Sequence, residues 1–192
     1  AERLRIGPGR RGVAHHHRLV VVRDGGEHRG DHLGVGRQGD EFLGPRTNGV
    51  AGLLGPVLEV RAQAEMGPTG VDVQTGFTLK HEGGGMSVCS CSFLARSPAE
   101  LTVSGERGQV RMNTMFHRAT SVTVKLEDGS ERTIETPYLG NGYVHEAIEA
   151  QRCWRQGLLE SPSMTQDETL ALMGVMDEIR RQIGLRYAAD RA

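Results

Sequence analysis

Residues 57–136 alternate between apolar or small side chains and polar ones, with a period of two residues. In residues 57–66, for example, Val60 and Ala62 stand between Glu59, Arg61 and Gln63. This alternation is typical of strands that have one face in a core and the other in water. It predicts strands at 57–66, 71–81, 86–95, 101–104, 110–112, 122–126 and 133–136.

Short turn sequences separate these strands. Asp128-Gly129 is a strong signal for a tight hairpin turn, and Gly105 and Gly108 bracket another short turn. Consecutive strands without helices between them pair in antiparallel order. We therefore expect an open, mainly antiparallel sheet of about six strands.

After residue 137 the apolar positions follow a helical period instead. The pattern predicts one helix at 142–156, which Asn141 caps and Gly157 ends. It predicts a second at 166–183, where Thr165 and Glu168 form a capping box. The apolar stripe of this second helix predicts core packing rather than a ligand surface. It consists of Leu170, Leu172, Met173, Met176, Ile179 and Ile183. The expected fold class is α+β, with the C-terminal helices packed on one face of the sheet.

Residues 1–50 lack this periodicity. They contain 11 of the 27 glycines, nine arginines and no lysine, and 19–22 is the one apolar run that suits a strand. Such a segment has much backbone entropy to lose and little apolar area to offset it. We expect residues 1–55 to be a disordered or non-native leader, of the composition that a GC-rich gene gives when read out of frame. A domain at 56–187 and a tail at 188–192 follow.

Two functional interpretations of the leader are weaker. Adjacent histidines point in different directions, and no spaced cysteine or carboxylate completes a tetrahedral metal site with them. A nucleic-acid arm normally carries lysines and interleaved aromatic residues, which this segment lacks. The histidines concerned are His15, His16, His17, His28 and His32.

The composition of the 192 residues suits one domain and excludes several classes of partner. A formal net charge of −1 creates no global field for nucleic acid or an anionic membrane. The chain shows no spanning run and no signal peptide. Three cysteines without a framework indicate a reducing compartment, so we expect a cytoplasmic protein. Cys89 and Cys91 share one strand face and are interpreted as packing residues.

The string GNGYVHEAIEAQRCWRQGLLESPSMTQDETLALMGVMDEIRRQIG at 140–184, together with the strands before it, resembles the C-terminal domain of the Gfo/Idh/MocA family. Within this family it is most similar to the dimeric dihydrodiol dehydrogenase-like branch. The resemblance implies a parent oxidoreductase that depends on NAD(P) and acts on a sugar, a polyol or a cyclic diol. It also implies a homo-oligomer formed through the exposed sheet face, and a small-molecule substrate.

The nucleotide-binding domain that precedes this part in the family is missing from the sequence. Gly7-Pro8-Gly9 and Gly34-Val35-Gly36 follow no credible strand and open no periodic helix, so they do not form the dinucleotide fingerprint. The family's Glu-Lys-Pro motif is absent too, because neither Lys80 nor Lys125 precedes a proline. We expect the chain alone to bind no cofactor, and no catalytic or metal-binding residue is assigned.

Tyr143 and His145 are the candidate residues for the substrate pocket. They stand at the start of a predicted helix, where the positive end of the helix dipole favours an anion or a polar substrate. The alternative is that Tyr143 packs on the sheet and His145 is solvated. For the chain as a whole we consider two functions. It is either the truncated substrate-binding and oligomerisation part of such an oxidoreductase, or a non-catalytic dimerisation or binding module. Whether the chain is itself an enzyme stays open.

Overall fold

The structure is a computed structural model that describes residues 16–22, 54–95, 99–113, 116, 119–140, 142–187 and 190. This part of the chain holds eight strands and two helices. In order they are β1 (His16–Val22), β2 (Val57–Met66), β3 (Asp72–His81), β4 (Met86–Ser92), β5 (Glu100–Gly105), β6 (Gly108–Met112), β7 (Ser121–Leu126), β8 (Glu131–Glu135), α1 (Val144–Arg155) and α2 (Gln166–Ile183).

The strands form one open sheet in the order β2-β3-β4-β1-β5-β6-β7-β8. Strands β2 to β4 and strands β5 to β8 are two antiparallel groups, as the tight turns predict. All seven strands predicted between residues 57 and 136 are present within a few residues of their expected bounds. The α+β class and the mainly antiparallel sheet are thus confirmed, with eight strands in the described residues instead of about six.

Strand β1 joins the two groups. It pairs antiparallel with β4 and parallel with β5, so that Leu19 lies between Cys89 and Leu101. These seven residues therefore differ from the coil expected for 1–55, because a short apolar run gains a place between two strands that need partners. The other residues up to 53 lie outside the described part, and whether the segment is a native sequence stays a prediction.

The pairing register places most apolar side chains on one side of the sheet, because residues directly opposite each other share a face. The exceptions include Met86 and Val88 on the polar side and Arg132 on the apolar side. We call one side the apolar face. Its described residues include Val60, Ala62, Phe77, Leu79, Cys89, Leu101, Val103, Val110, Met112, Val122, Val124 and Ile134. The polar face carries Glu59, Arg61, Gln63, Thr78, Lys80, Ser90, Thr102, Gln109, Arg111, Thr123 and Lys125.

The core lies on the apolar face around Leu101, which is almost fully buried. Side chains from neighbouring strands and from two connecting segments pack against it. They are Leu54, Cys89, Val103, Met112 and Phe116. Because several of these are only partly buried, the core is small for a sheet of this width.

The two helices begin and end much as the sequence predicts. Helix α1 has Tyr143 at its N-cap, where its side chain makes no capping hydrogen bond, and the expected cap, Asn141, lies outside the described residues. The capping box of α2 is confirmed. The backbone N–H of Glu168 donates to the Thr165 hydroxyl at 3.2 Å, and the Thr165 N–H donates to the Glu168 carboxylate at 2.9 Å. Gly184 then ends α2 with a φ of 72°.

The apolar stripe of α2 is not core, which corrects the expectation. No residue of α2 is buried, and Leu170, Leu172, Met173 and Met176 are exposed. The helix instead faces strand β2 with its small and polar side, which consists of Ala171, Gly174, Val175, Glu178 and Gln182. Specific hydrogen bonds between α2 and β2 therefore set its orientation more than the burial of its stripe.

Candidate functional site

The two predicted pocket residues stand where strand β8 leads into helix α1. Gly140 and Gly142 both have positive φ values, 56° and 91°, a conformation that glycine adopts without strain. The backbone N–H of Gly142 donates to the Leu139 carbonyl at 3.0 Å and closes the turn. Two glycines with positive φ and one backbone hydrogen bond thus shape the described part of this connection.

His145 is exposed and bonds back to this connection. Its Nε2 accepts a hydrogen bond from the Leu139 N–H at 3.4 Å, so the proton of the neutral ring lies on Nδ1. Tyr143 is also exposed, to 70% of its surface. Both side chains can therefore be reached from solvent, and both lie at the amino end of α1, where backbone N–H groups lack helical partners.

A cleft lies between β2 and α2, and neither Tyr143 nor His145 lines it. Within the described residues, no group of three or more histidine, cysteine or carboxylate side chains is placed to hold a metal ion. Neither α1 nor α2 is long and apolar enough to cross a membrane.

Among the residues whose burial is described, the polar side chains with the least exposure are a histidine–serine pair that the sequence analysis did not single out. His81 ends β3 and Ser87 lies in β4, and their exposed fractions are 1% and 0%. His81 Nδ1 lies 2.9 Å from the Gly55 carbonyl oxygen, which can only accept, so Nδ1 carries the proton. In the neutral ring Nε2 is then an acceptor, and the Ser87 hydroxyl donates to it over 2.7 Å.

This arrangement resembles the bond between a nucleophilic serine and its general base. Catalysis also needs a route by which the substrate can reach the serine oxygen, and the burial of both side chains closes it. Gly55 O, His81 and Ser87 instead tie the segment before β2 to the β3–β4 hairpin. The pattern could have been suspected from His81 on the predicted apolar face of β3, where a histidine requires partners.

A second polar network links α1 to the connection that follows it. Arg152 binds both carboxylate oxygens of Glu149 at 2.7 Å, and the Ser161 hydroxyl donates to the same carboxylate at 2.6 Å. These hydrogen bonds, with that of Arg152 the largest cause, lower the pKa of Glu149 to about 2. The Cys153 thiol adds a weak bond at 3.4 Å. Glu149 thus holds Ser161, in the connection that follows α1, close to the helix.

The cysteine pair lies as predicted on one face of β4, where Cys89 stands opposite Phe77 and Cys91 opposite Thr75. Burial raises the pKa of the Cys89 thiol to about 12, and the neighbouring Cys91 adds to this effect. Burial raises the pKa of Cys91 as well. Since the thiolate is the reactive form, both side chains are poor nucleophiles at neutral pH.

The cleft between β2 and α2 has a volume of about 920 Å³ and a polar lining. At one end the Gln182 amide spans it, donating to the Val60 carbonyl and accepting from the Ala62 N–H, both at 2.8 Å. Gln182 also donates to Glu178 at 2.7 Å, and Arg181 binds the same carboxylate. These bonds, led by that of Arg181, lower the pKa of Glu178 to about 2.

No protein-family model matches the chain. Among curated proteins, the trans-1,2-dihydrobenzene-1,2-diol dehydrogenase of Danio rerio is 31% identical over 138 residues, which are 69% of this chain and 41% of that protein. The scyllo-inositol 2-dehydrogenase (NADP(+)) IolU of Bacillus subtilis strain 168 is 29% identical over 140 residues, 73% of this chain and 42% of that protein. The chain thus spans about two fifths of the length of these relatives.

Solved structures agree with the fold. The aldose-aldose oxidoreductase of Caulobacter crescentus, complexed with glycerol, superposes with a TM-score of 0.55 at 18% identity. The match covers 66% of this chain and 39% of that one. At this identity the likeness establishes the architecture of sheet and helices alone.

Proposed function

The chain belongs to the Gfo/Idh/MocA family through its relation to the dihydrodiol dehydrogenases, and on this premise we propose that it forms the substrate-binding and oligomerisation part of an NAD(P)-dependent oxidoreductase. The substrate of such an enzyme is a sugar, a polyol or a cyclic diol. The observation that carries the proposal is the similarity over 138 residues to a dehydrogenase of a cyclic diol. On this proposal the chain is inactive by itself.

Tyr143 and His145 are proposed to contact the substrate. Both are exposed at the amino end of α1, and a phenol and an imidazole are suited to hydrogen-bond the hydroxyl groups of a polyol. The positive end of the helix dipole favours a polar or anionic group at this position.

Self-association through the sheet is the second part of the proposal. Several residues of the apolar face remain partly exposed in the single chain. They are Phe77, Val103, Val110, Val124 and Ile134. Val103, Val110 and Val124 are cross-strand neighbours. A contiguous apolar patch marks an interface more often than a solvated surface, and a two-fold pair of sheets is the simplest closed arrangement.

A non-catalytic dimerisation or binding module is the second candidate function. It is favoured by apolar side chains on the helical part of the domain that stand in solvent, with Trp154 exposed to 81% and Leu159 to 98%. Such residues gain free energy when a partner covers them. This function requires no small-molecule site at Tyr143 or His145.

Binding of small molecules separates the two candidates. We expect saturation-transfer NMR with a panel of aldoses, inositols and trans-dihydrodiols to detect binding of at least one class, and Tyr143→Phe or His145→Ala to weaken it. Glu146→Gln, in the first turn of the same helix, serves as the control. If no compound of the panel binds and the chain still self-associates, the result favours the dimerisation module over the substrate-binding part of an oxidoreductase.

The sheet interface has its own test. Val110→Lys on the apolar face is expected to shift sedimentation velocity profiles towards the monomer, whereas Gln109→Lys on the polar face leaves them unchanged. Equal profiles for both variants would exclude the apolar face as the interface.

A cytoplasmic location stays a prediction, supported by the three free cysteines.

A further inference from the structure

Strand β2 is an outer strand of the sheet, and its outward side is not left to solvent. The Val60 carbonyl and the Ala62 N–H point away from β3 and bind the side chain of Gln182, which lies 120 residues away from Ala62 in the chain. An exposed strand edge is a template for pairing with another strand. Gln182 therefore occupies backbone groups that another strand would need.

The geometry of this contact imitates a strand. In a parallel pair, a residue of one strand lies opposite a residue of the other strand. Its N–H donates to the carbonyl of the residue that precedes this partner, and its carbonyl accepts from the N–H of the residue that follows it. The Gln182 amide does the same around Arg61, through Nε2 to Val60 and Oε1 to Ala62. Its second amide hydrogen goes to Glu178, so the direction of the amide is fixed by three partners.

The opposite edge of the sheet is protected in a different way. Strand β8 has only five residues, and Glu131, Arg132 and Glu135 put charges on three of them. Short, charged edge strands resist pairing. Strand β2 has ten residues, and 59–65 pair regularly with β3, so it is the edge with the greater capacity to accept a strand.

A second copy of β2 fits this edge by charge. The outward backbone groups belong to the even-numbered residues from 60 to 64, because Val60 and Ala62 face Gln182 and the strand alternates. Antiparallel pairing through these residues allows two registers in which Arg61 faces a glutamate of the second copy, Glu59 or Glu65. The two registers between them are unfavourable, because one places Arg61 opposite Arg61 and the other places Glu59 opposite Glu65.

We propose that Gln182 is an edge lock, a side chain that takes the place of a second copy of β2 and prevents antiparallel β2–β2 pairing between two molecules. Lock and second strand compete for the same two backbone groups, the Val60 carbonyl and the Ala62 N–H. The cleft beside β2, lined on the helix side by residues that include Ala171 and Gly174, lies along the same strand.

The first test is Gln182→Met, which keeps the length of the side chain and removes its amide. Gln166→Met, an exposed glutamine in the first turn of the same helix, is the matched control. We expect the Q182M variant to form dimers or larger species that dissociate on dilution, beyond any association seen with Q166M. At low concentration its Ala62 amide should exchange about tenfold faster than in the parent chain, and at high concentration it should be protected again.

A charge series in the Q182M background identifies the pairing. Arg61→Glu should abolish the additional association, because it places like charges opposite each other in both registers. Restoration by Glu59→Arg or by Glu65→Arg then shows which glutamate faces residue 61. Q182M that stays folded by circular dichroism and associates no more than Q166M overturns the proposal, as does failure of both restoring substitutions. If Q182M unfolds, Gln182→Asn, too short to bridge both groups, replaces it.

Discussion

The Ser87 hydroxyl donates to His81 Nε2 over 2.7 Å, and neither side chain reaches the surface. A contact that in an exposed cleft would suggest nucleophilic catalysis is here a buried link between two strands and the segment before β2. The burial decides the role, because a serine without access to solvent has no substrate to attack.

We expect Ser87→Ala to lower the free energy of unfolding by about 1–3 kcal/mol, since it leaves Nε2 of a buried histidine without a partner. Urea unfolding followed by circular dichroism measures the loss. Ser90→Ala, on the exposed face of the same strand, should change it little. Equal effects of the two substitutions would contradict the structural role of the pair.

Gly108 begins β6 with a φ of 141°, and a Cβ built there would lie 2.2 Å from the Lys125 carbonyl oxygen. Gly108→Ala should therefore cost at least about 2 kcal/mol of stability, from backbone strain and from displacement of β7. Gly105→Ala, at the other end of the same turn, meets no atom within 4 Å and is the control. Thermal unfolding of both variants checks the difference.

The hydrogen bonds of Glu149 make the free energy of unfolding depend on pH in the acidic range. Its pKa is lowered from 4.5 to about 2 in the folded chain, so its contribution is complete above the unfolded value and is lost as pH falls between these two values. Glu149→Gln should flatten the fall of melting temperature from about pH 5 to pH 2. Glu146→Gln, exposed on the same helix, should leave the slope unchanged, and an unaltered slope for E149Q would argue against the network.

The chain alone is expected to bind neither NADH nor NADPH with micromolar affinity. The described strands and helices contain no Gly-x-Gly-x-x-Gly turn between a strand and a helix; the nearest approach, Gly140 to His145, lacks the third glycine. Fluorescence titration with each nucleotide checks this. A saturable micromolar signal for either would refute the expectation.

Local features of the fold could be predicted from the sequence. Alternation between residues 57 and 136 located seven strands, and Thr165 with Glu168 located the start of α2, because strands, turns and caps depend on near neighbours. The central position of β1 could not be predicted, since it depends on partners far along the chain. The exposed stripe of α2 was missed for a related reason: helical periodicity shows an apolar side but not what covers it.

The candidate site was harder to predict. Tyr143 and His145 were placed correctly at the start of a helix, yet they do not line the cleft between β2 and α2. His81 and Gln182 both bind backbone groups of a distant segment, and these partners cannot be read from the sequence. For His81, its place on the predicted apolar face indicates only that some partner is required.

The position of β1 has a consequence for the order in which the chain folds. Strands β2 to β4 and β5 to β8 each pair with sequence neighbours and close short loops, whereas β1 closes long ones when Val22 meets Met86 and Ser104. Because the entropy of loop closure and the delay in folding both increase with sequence separation, β1 is expected to insert last. Until it does, the unpaired sides of β4 and β5 face each other as an open slot. A nascent molecule that halts there can accept β1 from a neighbour and exchange strands with it.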